Sequence, residues 1–322
     1  MANFSTSLAV LAAIAILLLV VFVTFKLTLL ASRLLLLKSS TQAESIVAFP
    51  IDVAAPYRLM QARHGWMLAN PHDVYMGRAL LEYGECAEFE LQFLAYILSL
   101  RPGKMIEVGA NIGIHSIPLA KALALEKREM VVFEPQQFIF QNLCANLALN
   151  GLTNVKAWPW ACGATSEIVY YPSQDYNAMN NFGGISMEVK PQSGSVATPC
   201  VRLDDVVGSD AVSLIKIDVE GYELYVLQGA VGILTRWRSV IYVENDRVEK
   251  SQALIEWLWS QNYLLFWHIP ALYNPDNLLK GKANPIDANV ASFNMVCLPK
   301  ELGISMNELQ EVTSATEHPL KK

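Results

Sequence analysis

The stretch Met105–Gly113, which reads MIEVGANIG, decides the predicted fold. Its first half is apolar apart from Glu107 and favours a buried strand, and Gly109 and Gly113 let the backbone turn at the strand's end. A helix is predicted to follow over Gly113–Leu125. Because nucleotide-like cofactors bind beside such glycine turns in parallel α/β sheets, the stretch predicts a strand of such a sheet and one wall of a ligand site.

The spacing of the glycines separates two classes of cofactor. The dinucleotide fingerprint has glycine at its first, third and sixth positions, which here are Gly109, Asn111 and Ile114, so only the first position matches. The middle glycine lets a pyrophosphate approach the backbone. Asn111 in its place therefore favours a cofactor without phosphate groups, and a turn that binds no ligand is the alternative.

Acidic residues follow three further apolar strands. Glu134 follows Met130–Phe133, Asp218 and Glu220 follow Val212–Ile217, and Glu244-Asn245-Asp246 follows Val240–Val243. Because the carboxyl ends of parallel strands meet at one edge of the sheet, we expect these carboxylates to lie on the rim where ligands bind. Glu134 is of the residue type that accepts two hydrogen bonds from a ribose diol, although a solvated glutamate at a strand end is the alternative.

Five segments that occur in one order along the chain have the pattern of a known family. They are EVGANIGIHS at Glu107–Ser116, FEPQ at Phe133–Gln136, NLALNGLTNV at Asn146–Val155, RLDDV at Arg202–Val206 and KIDVEGYEL at Lys216–Leu224. From about Glu90 to Pro299 the chain resembles the FkbM-type methyltransferases, a branch of the class I enzymes that use S-adenosylmethionine. The resemblance implies cofactor contacts at Glu107, Gly109, Ala110, Asn111, Gly113, Glu134 and Ala161. It also implies that Asp218 faces the methyl-transfer site, but it does not fix the methyl acceptor.

The order of elements predicts an α/β fold with a doubly wound, mostly parallel seven-stranded sheet, the Rossmann-like fold of class I methyltransferases. Its last strands are expected at Tyr263–His268 and Ser292–Leu298, in antiparallel pairing. The predicted organisation is an anchor and juxtamembrane segment at 1–38, a linker and substrate-side cap at 39–84, the methyltransferase domain at 85–300 and a polar tail at 301–322.

Catalysis of methyl transfer requires a positioned acceptor and a base for its proton. Asp218 and Glu220 are the first candidates for that base, and His268 is the second. Each has a structural alternative, because Asp218 could instead cap the following helix and a lone histidine is more often packed than catalytic. Asp218, Asn245 and Asp246 could together hold Mg²⁺, but the same residue types cap helices and bind ribose, so we predict no metal.

The run Leu8–Phe25 carries no charge and is long enough, at about 1.5 Å per residue, to cross most of a bilayer core about 30 Å thick. We predict a single transmembrane helix, with a cleaved signal peptide as the alternative. Lys26, Arg33 and Lys38 all follow the run, so the positive-inside rule places the catalytic domain in the cytoplasm.

Composition excludes several other classes of protein. The formal net charge of −6 gives no basic footprint for nucleic acid, and the five cysteines have no zinc-binding spacing and indicate reduced core residues. The predicted function is O-methylation of a hydroxyl on a sugar, glycolipid or natural product at the cytoplasmic membrane face, with a small-molecule, glycan or lipid-linked acceptor. A noncatalytic scaffold that keeps the fold is the alternative, and a nicotinamide oxidoreductase is disfavoured by Asn111 and Ile114.

Overall fold

The strand that holds the first half of MIEVGANIG, Lys104–Val108, is buried at every residue. Its side chains alternate between two faces, so that Met105 packs in one apolar core and Ile106 in the other. A strand covered on both faces needs a continuous apolar run, which is what the sequence contains. The structure is a computed structural model that describes residues 56–282 and 290–321.

Strands and helices alternate along most of the described residues. The strands are β1 (Arg58–Ala62), β2 (Gly65–Ala69), β3 (Lys104–Val108), β4 (Met130–Phe133), β5 (Val155–Trp158), β6 (Ala161–Cys162), β7 (Glu167–Pro172), β8 (Ser195–Val201), β9 (Val212–Ile217), β10 (Val240–Glu244), β11 (Tyr263–His268), β12 (Asn294–Pro299) and β13 (Gln310–Glu311). The helices are α1 (Met76–Tyr83), α2 (Glu88–Ser99), α3 (Ser116–Leu125), α4 (Gln137–Leu149), α5 (Leu203–Val206), α6 (Glu223–Gln228), α7 (Val231–Trp237) and α8 (Val248–Ser260), with a 3₁₀ turn at Lys300–Leu302.

The central sheet has the strand order β5-β4-β3-β9-β10-β12-β11-β13. Strands β5, β4, β3, β9 and β10 pair in parallel, and β12 is antiparallel to both β10 and β11. This confirms the predicted α/β fold with a mixed central sheet and an antiparallel end.

The prediction of seven strands is wrong by one, because β13 adds an eighth strand at the edge of the sheet. It pairs with β11 through Phe266 opposite Glu311 and Trp267 opposite Gln310. The strand is two residues long and polar, so no hydrophobic alternation marks it in the sequence. The polar tail, to which the sequence assigned no role, therefore extends the sheet, and its His318 is buried.

Helices cover the two faces of the sheet in two groups. Helices α2, α3 and α4 contribute buried residues to one core, for example Leu94, Ile117 and Leu143. Helices α6, α7 and α8 contribute to the other. This doubly wound arrangement leaves the carboxyl ends of the parallel strands uncovered by helices, and the turns that follow these strands form the candidate site.

The irregular sequence before β3 folds into the hairpin β1–β2 and the helix α1, which the sequence analysis did not predict. Strands β1 and β2 pair antiparallel, and two asparagine side chains, one in α4 and one directly after it, accept hydrogen bonds from the outer edge of β2. The amide of Leu68 donates to Asn146 Oδ1 at 2.7 Å, and the amide of Trp66 donates to Asn150 Oδ1 at 3.2 Å. Side-chain amides thus replace a third strand, which hydrophobic patterning cannot indicate.

The predicted transmembrane helix at Leu8–Phe25 lies outside the described residues. In the part of the chain that the structure covers, no helix has both the length and the apolar character needed to cross a membrane.

Candidate active site

A cavity of about 470 Å³ lies at the carboxyl ends of β3, β4, β9 and β10. The turn after each of these strands contributes to its lining, and so do α2, the start of α1 and the loop between β7 and β8. The strand-end residues among its lining are Gly109, Asn111, Glu134, Asp218, Glu220, Glu244 and Asp246. The rim that the sequence predicted for the acidic strand ends is therefore where the structure has its cavity.

The turn after β3 requires glycine at position 109. Gly109 has φ +84°, and a Cβ there would lie 1.8 Å from the carbonyl oxygen of Asp218. The amides of Gly109 and Ala110 both donate to the carbonyl of Phe133, at 2.9 and 3.0 Å. The turn is thus fastened to the ends of β4 and β9, and its backbone reaches the cavity with no side chain in the way.

Asn111 occupies the left-handed region, with φ +48°, and its side chain stabilises the turn. Its Oδ1 accepts a hydrogen bond from the amide of Ile112 at 2.8 Å. Asparagine is among the few residues that adopt this backbone conformation readily. Asn111 lines the cavity, whereas Ala110 and Gly113 do not. Gly113, at φ +92°, instead packs against Leu143, so its role is in the start of α3.

Glu134 lies directly after β4 and faces the cavity. One carboxylate oxygen accepts from the amide of Asn111 at 3.0 Å, and the other accepts from the amide of Gln136 at 2.9 Å. Burial raises the pKa of Glu134 to about 7, although these two backbone N–H groups lower it. The carboxylate is therefore fixed in place by the backbone, as a group that binds a ligand diol has to be.

Glu107, a predicted cofactor contact, lies beneath the cavity and is not among its described lining residues. It is 1% exposed, and its Oε2 accepts from the hydroxyl of Ser116 at 2.5 Å. Its Oε1 lies 3.8 Å from Nζ of Lys216. The reason is positional: Glu107 is the penultimate residue of β3, so its side chain points to a face of the sheet rather than over the rim.

Lys216, the penultimate residue of β9, is the most important residue that the sequence analysis missed. It is 1% exposed, and its Nζ donates to Asp218 Oδ2 at 3.0 Å. Burial alone would lower the pKa of Lys216, but the nearby carboxylates of Asp218, Glu107 and Glu90 more than offset this and raise it. A lysine within the otherwise apolar run VSLIKI was the signal that could have indicated it.

Asp218 lines the cavity and keeps its side chain 29% exposed. The helix-capping alternative does not hold, because Gly221 donates its amide to Glu223 Oε1 at 2.8 Å instead. Oxygens of Asp218, Glu220 and Glu244 lie within 4.8 Å of one another. Such a group could share protons, accept hydrogen bonds from hydroxyls or hold a cation.

Glu220 also lines the cavity, in an ion pair with Arg247. Burial, and then repulsion from Asp218, raises the pKa of Glu220 to about 8. Asp246 pairs with the same arginine at 3.1 Å. Asn245, which the sequence grouped with these acids, turns away from them and donates to Ser251 Oγ at 2.9 Å. The residue alternation along the end of β10 separates it from its neighbours.

His268, the second candidate for the base, is not among the described residues that line the cavity. Its Nδ1 lies 2.7 Å from the hydroxyl of Tyr242, and its ring stacks on Phe93 with centroids 4.0 Å apart. Burial lowers the pKa of His268 to about 4, so the ring is neutral at physiological pH. It is a packed histidine, which was the structural alternative.

Several residues that line the cavity lie outside the sequence motifs and were not predicted. Glu90 of α2 is buried, lines the cavity and has an Oε1 without a hydrogen-bond partner. The loop between β7 and β8 contributes Asn181, Gly183 and Met187. These residues reach the cavity from sequence-distant elements, so only the three-dimensional fold could show them. Ala161, which was predicted, also lines the cavity. So does His115, which is buried and whose Nε2 lies 3.7 Å from Oε1 of Glu90.

The family model of the methyltransferase FkbM domain matches residues 107–265 of this chain. The chain belongs to the FkbM methyltransferase family. Its described sheet is accordingly the class I methyltransferase-like α/β fold, and S-adenosylmethionine is the cofactor. The site fits that group, because Gly109 leaves the turn free of side chains and the backbone holds both oxygens of Glu134.

Two curated methyltransferases are similar to this FkbM-family chain. It is 28% identical over 193 residues to the methyltransferase sdnD of Sordaria araneosa, with 46% of this chain and 72% of sdnD covered. It is 29% identical over 138 residues to the hexuronic acid methyltransferase AglP of Haloferax volcanii, with 42% of this chain covered. That match spans 53% of AglP, about half its length.

Among solved structures, the chain is similar to the methyltransferase FkbM from Methylobacillus flagellatus KT. The sequence identity is 17% and the TM-score is 0.40, with 62% of this chain and 45% of that chain covered.

Proposed function

We propose that this protein transfers the methyl group of S-adenosylmethionine to a hydroxyl oxygen of a sugar, glycolipid or natural product. The observation that carries the proposal is Asp218, a carboxylate on the cavity wall whose other neighbour is a buried lysine. The name of AglP, a hexuronic acid methyltransferase, supports a sugar as the acceptor.

When bound, the cofactor would supply an electrophilic methyl carbon on a sulfonium, so that a hydroxyl oxygen could bond to this carbon as the carbon–sulfur bond breaks and a neutral thioether leaves. The chain's own residues have to orient the hydroxyl and take its proton. Asp218 has the position for both tasks, because its carboxylate lines the cavity next to Glu220 and Glu244. Lys216, whose Nζ donates to Oδ2 of Asp218 at 3.0 Å, fixes the orientation of that carboxylate.

Glu134 and the turn at Gly109 would hold the cofactor. Glu134 offers two oxygens to a ribose diol, and the turn allows close approach of the adenosyl part. Gly109 lies against the backbone of Asp218, so the turn that would hold the cofactor is next to the proposed base. Cofactor binding and proton removal are thus assigned to neighbouring strand ends.

We also propose that the enzyme works at the cytoplasmic face of a membrane on a small-molecule, glycan or lipid-linked acceptor, without a nucleic-acid partner. The uncharged run Leu8–Phe25, with all nearby basic residues after it, supports this location. An anchored enzyme would meet lipid-linked acceptors at high local concentration.

Transfer of labelled methyl groups tests the proposal. Full-length protein is incubated with methyl-labelled S-adenosylmethionine and with membrane and soluble extracts, and the labelled acceptor is then identified. We expect Asp218→Asn to lower the transfer rate by about 10²–10⁴-fold, as for loss of a general base, while cofactor affinity changes little. Unchanged transfer by Asp218→Asn would remove Asp218 as the base, and label on nitrogen rather than oxygen would contradict O-methylation.

A further inference from the structure

The cavity lining is strongly acidic. Among its described residues are six carboxylates, from Glu90, Glu134, Asp218, Glu220, Glu244 and Asp246. Among the described lining residues, Arg247 is the only lysine or arginine. His115 is also present, but burial holds its pKa well below the usual value, so it is neutral. The chemistry of the cavity is therefore that of a hydrogen-bond acceptor with negative charge.

Arg247 is already paired with two carboxylates of the cavity lining. It pairs with Glu220, and its other terminal nitrogen lies 3.1 Å from Asp246 Oδ2. An acidic ligand that bound Arg247 would lie close to these two carboxylates. Since like charges at close range cost several kcal/mol, the arginine does not make a carboxylate-binding site here.

The carboxylates divide between the two ends of the site. Both oxygens of Glu134 are held by backbone amides beside the turn at Asn111, at the expected cofactor end. Asp218, Glu220 and Glu244 lie together at the ends of β9 and β10. At this second end Oε2 of Glu244 is buried and has no hydrogen-bond partner. A buried acceptor of this kind is satisfied by a ligand that donates hydrogen bonds.

The pKa of Glu244 agrees with a ligand that donates hydrogen bonds. Burial, followed by repulsion from Asp218 and Glu220, raises the pKa of Glu244 well above its usual value. Glu244 therefore keeps its proton more readily than a solvated carboxyl does, because Asp218 and Glu220 already place negative charge beside it. A further anion would add to the repulsion, whereas hydroxyl groups would donate to the carboxylates and relieve it.

We propose that the methyl acceptor is a neutral, hydroxyl-rich molecule, such as a neutral sugar or polyol, whose hydroxyls donate to the carboxylates of Asp218, Glu220 and Glu244, and that the site rejects anionic acceptors. The inference rests on the proposed function, since it concerns the acceptor of the same cavity. Neighbouring hydroxyls on one ring match a set of carboxylate oxygens within 4.8 Å of one another.

Two sugars that differ in one charged group test this proposal. Binding of methyl α-glucopyranoside and of methyl α-glucopyranosiduronate to the full-length protein is measured by saturation-transfer NMR at pH 8, with S-adenosylhomocysteine present. We expect the neutral glycoside to bind at least about tenfold more tightly, because one unfavourable charge interaction of ~1.4 kcal/mol suffices for that ratio. The variants Glu220→Gln and Glu244→Gln should each reduce the ratio, whereas the exposed control Glu308→Gln should not.

The outcomes separate this inference from the proposed function. Calorimetry with S-adenosylhomocysteine on the same samples reports the cofactor site, and its failure would remove the proposed function together with this inference. If the cofactor product binds, equal or tighter binding of the uronate, or binding of neither glycoside, overturns the inference alone. The measurement is repeated with Mg²⁺ and with a chelator, and uronate binding that needs Mg²⁺ would also overturn it, in favour of a bridging cation.

Discussion

Glu134 and Glu107 end neighbouring strands of one sheet, yet they belong to different regions. The cavity face, formed by Glu134, Asp218, Glu220 and Glu244, is lined by residues at or after a strand's last position. The buried layer, formed by Glu107, Ser116 and Lys216, lies beneath it and has under 2% of its surface exposed. Burial raises the pKa of both Glu134 and Glu107 to about 7. Residue type and burial are thus alike, and two positions along the strand decide which carboxylate faces the cavity, since Glu107 lies opposite Val132.

The largest effect should come from breaking the buried layer. Lys216→Met removes the positive charge between Glu107 and Asp218, and we expect the free energy of unfolding to fall by ~3–5 kcal/mol, as for a broken buried ion pair. Urea denaturation measures this. The matched control is Lys156→Met, which breaks the exposed pair with Glu129 and should cost under ~1 kcal/mol. Equal losses in the two variants would mean that the buried layer has no special role.

The turn that separates the two regions gives the next largest effect. Gly109→Ala places a Cβ 1.8 Å from the carbonyl oxygen of Asp218 in a left-handed backbone. We expect a loss of roughly 2–5 kcal/mol in unfolding free energy, from left-handed strain plus overpacking, together with weaker cofactor binding. Gly151 also has a positive φ, but a Cβ there meets nothing within 4 Å, so Gly151→Ala should show the backbone cost alone. A Gly109→Ala protein as stable as the Gly151→Ala control would contradict the close approach.

A change of pH should act on the free energy of unfolding and on cofactor affinity in opposite directions. The pKa values of Glu107 and Glu134 are raised by burial from 4.5 to about 7, so between about pH 4.5 and 7 the folded state binds more protons than the unfolded state. Their contribution to the free energy of unfolding therefore falls as pH rises through that window. Cofactor affinity should instead rise, by about tenfold per pH unit below pH 7, because binding requires ionised Glu134.

Calorimetric titrations from pH 5.5 to 8 with Glu134→Gln and Glu107→Gln sharpen this comparison. The pH dependence of cofactor affinity should disappear in Glu134→Gln and persist in Glu107→Gln. The reverse assignment, or an affinity that does not change with pH in the wild type, would show that Glu134 does not titrate in the cofactor site.

The smallest effect is expected outside both regions, at His268. His268→Gln keeps a hydrogen-bond acceptor for the hydroxyl of Tyr242. Methyl-transfer rate and cofactor affinity should stay within about twofold of the wild type, since a change that small is under ~0.5 kcal/mol. A loss of methyl-transfer rate as large as that expected for a catalytic base would instead support a catalytic role for His268.

The parallel part of the fold was predictable because its signals are local. Apolar runs such as Val212–Ile217 end in acidic residues, and the glycine turn after β3 marks where the sheet binds a ligand. The antiparallel pairing of β11 with β12 was also predicted and is confirmed. The hairpin β1–β2 was not, because asparagine side chains in α4 and directly after it stabilise the hairpin rather than an apolar pattern.

Within the site, the sequence indicated residue types better than side-chain directions. It placed Glu107 and Glu134 together as cofactor contacts, but it could not show that one points to a sheet face and the other to the rim. It also treated Lys216 as part of a motif, although the lysine's partners come from β3 and from the following turn. Contacts between distant segments, such as those of Glu90, need the assembled fold.

The most direct test of the central claim is calorimetry of S-adenosylmethionine binding to the wild type, Glu134→Gln and Glu107→Gln at pH 8. We predict that the wild type binds, that Glu134→Gln binds at least about tenfold more weakly through loss of charge-assisted hydrogen bonds worth ~1.5–3 kcal/mol, and that Glu107→Gln stays within about threefold. Loss of binding in Glu107→Gln with full binding in Glu134→Gln, or no binding by the wild type, would contradict the assignment of the cavity face as the cofactor site.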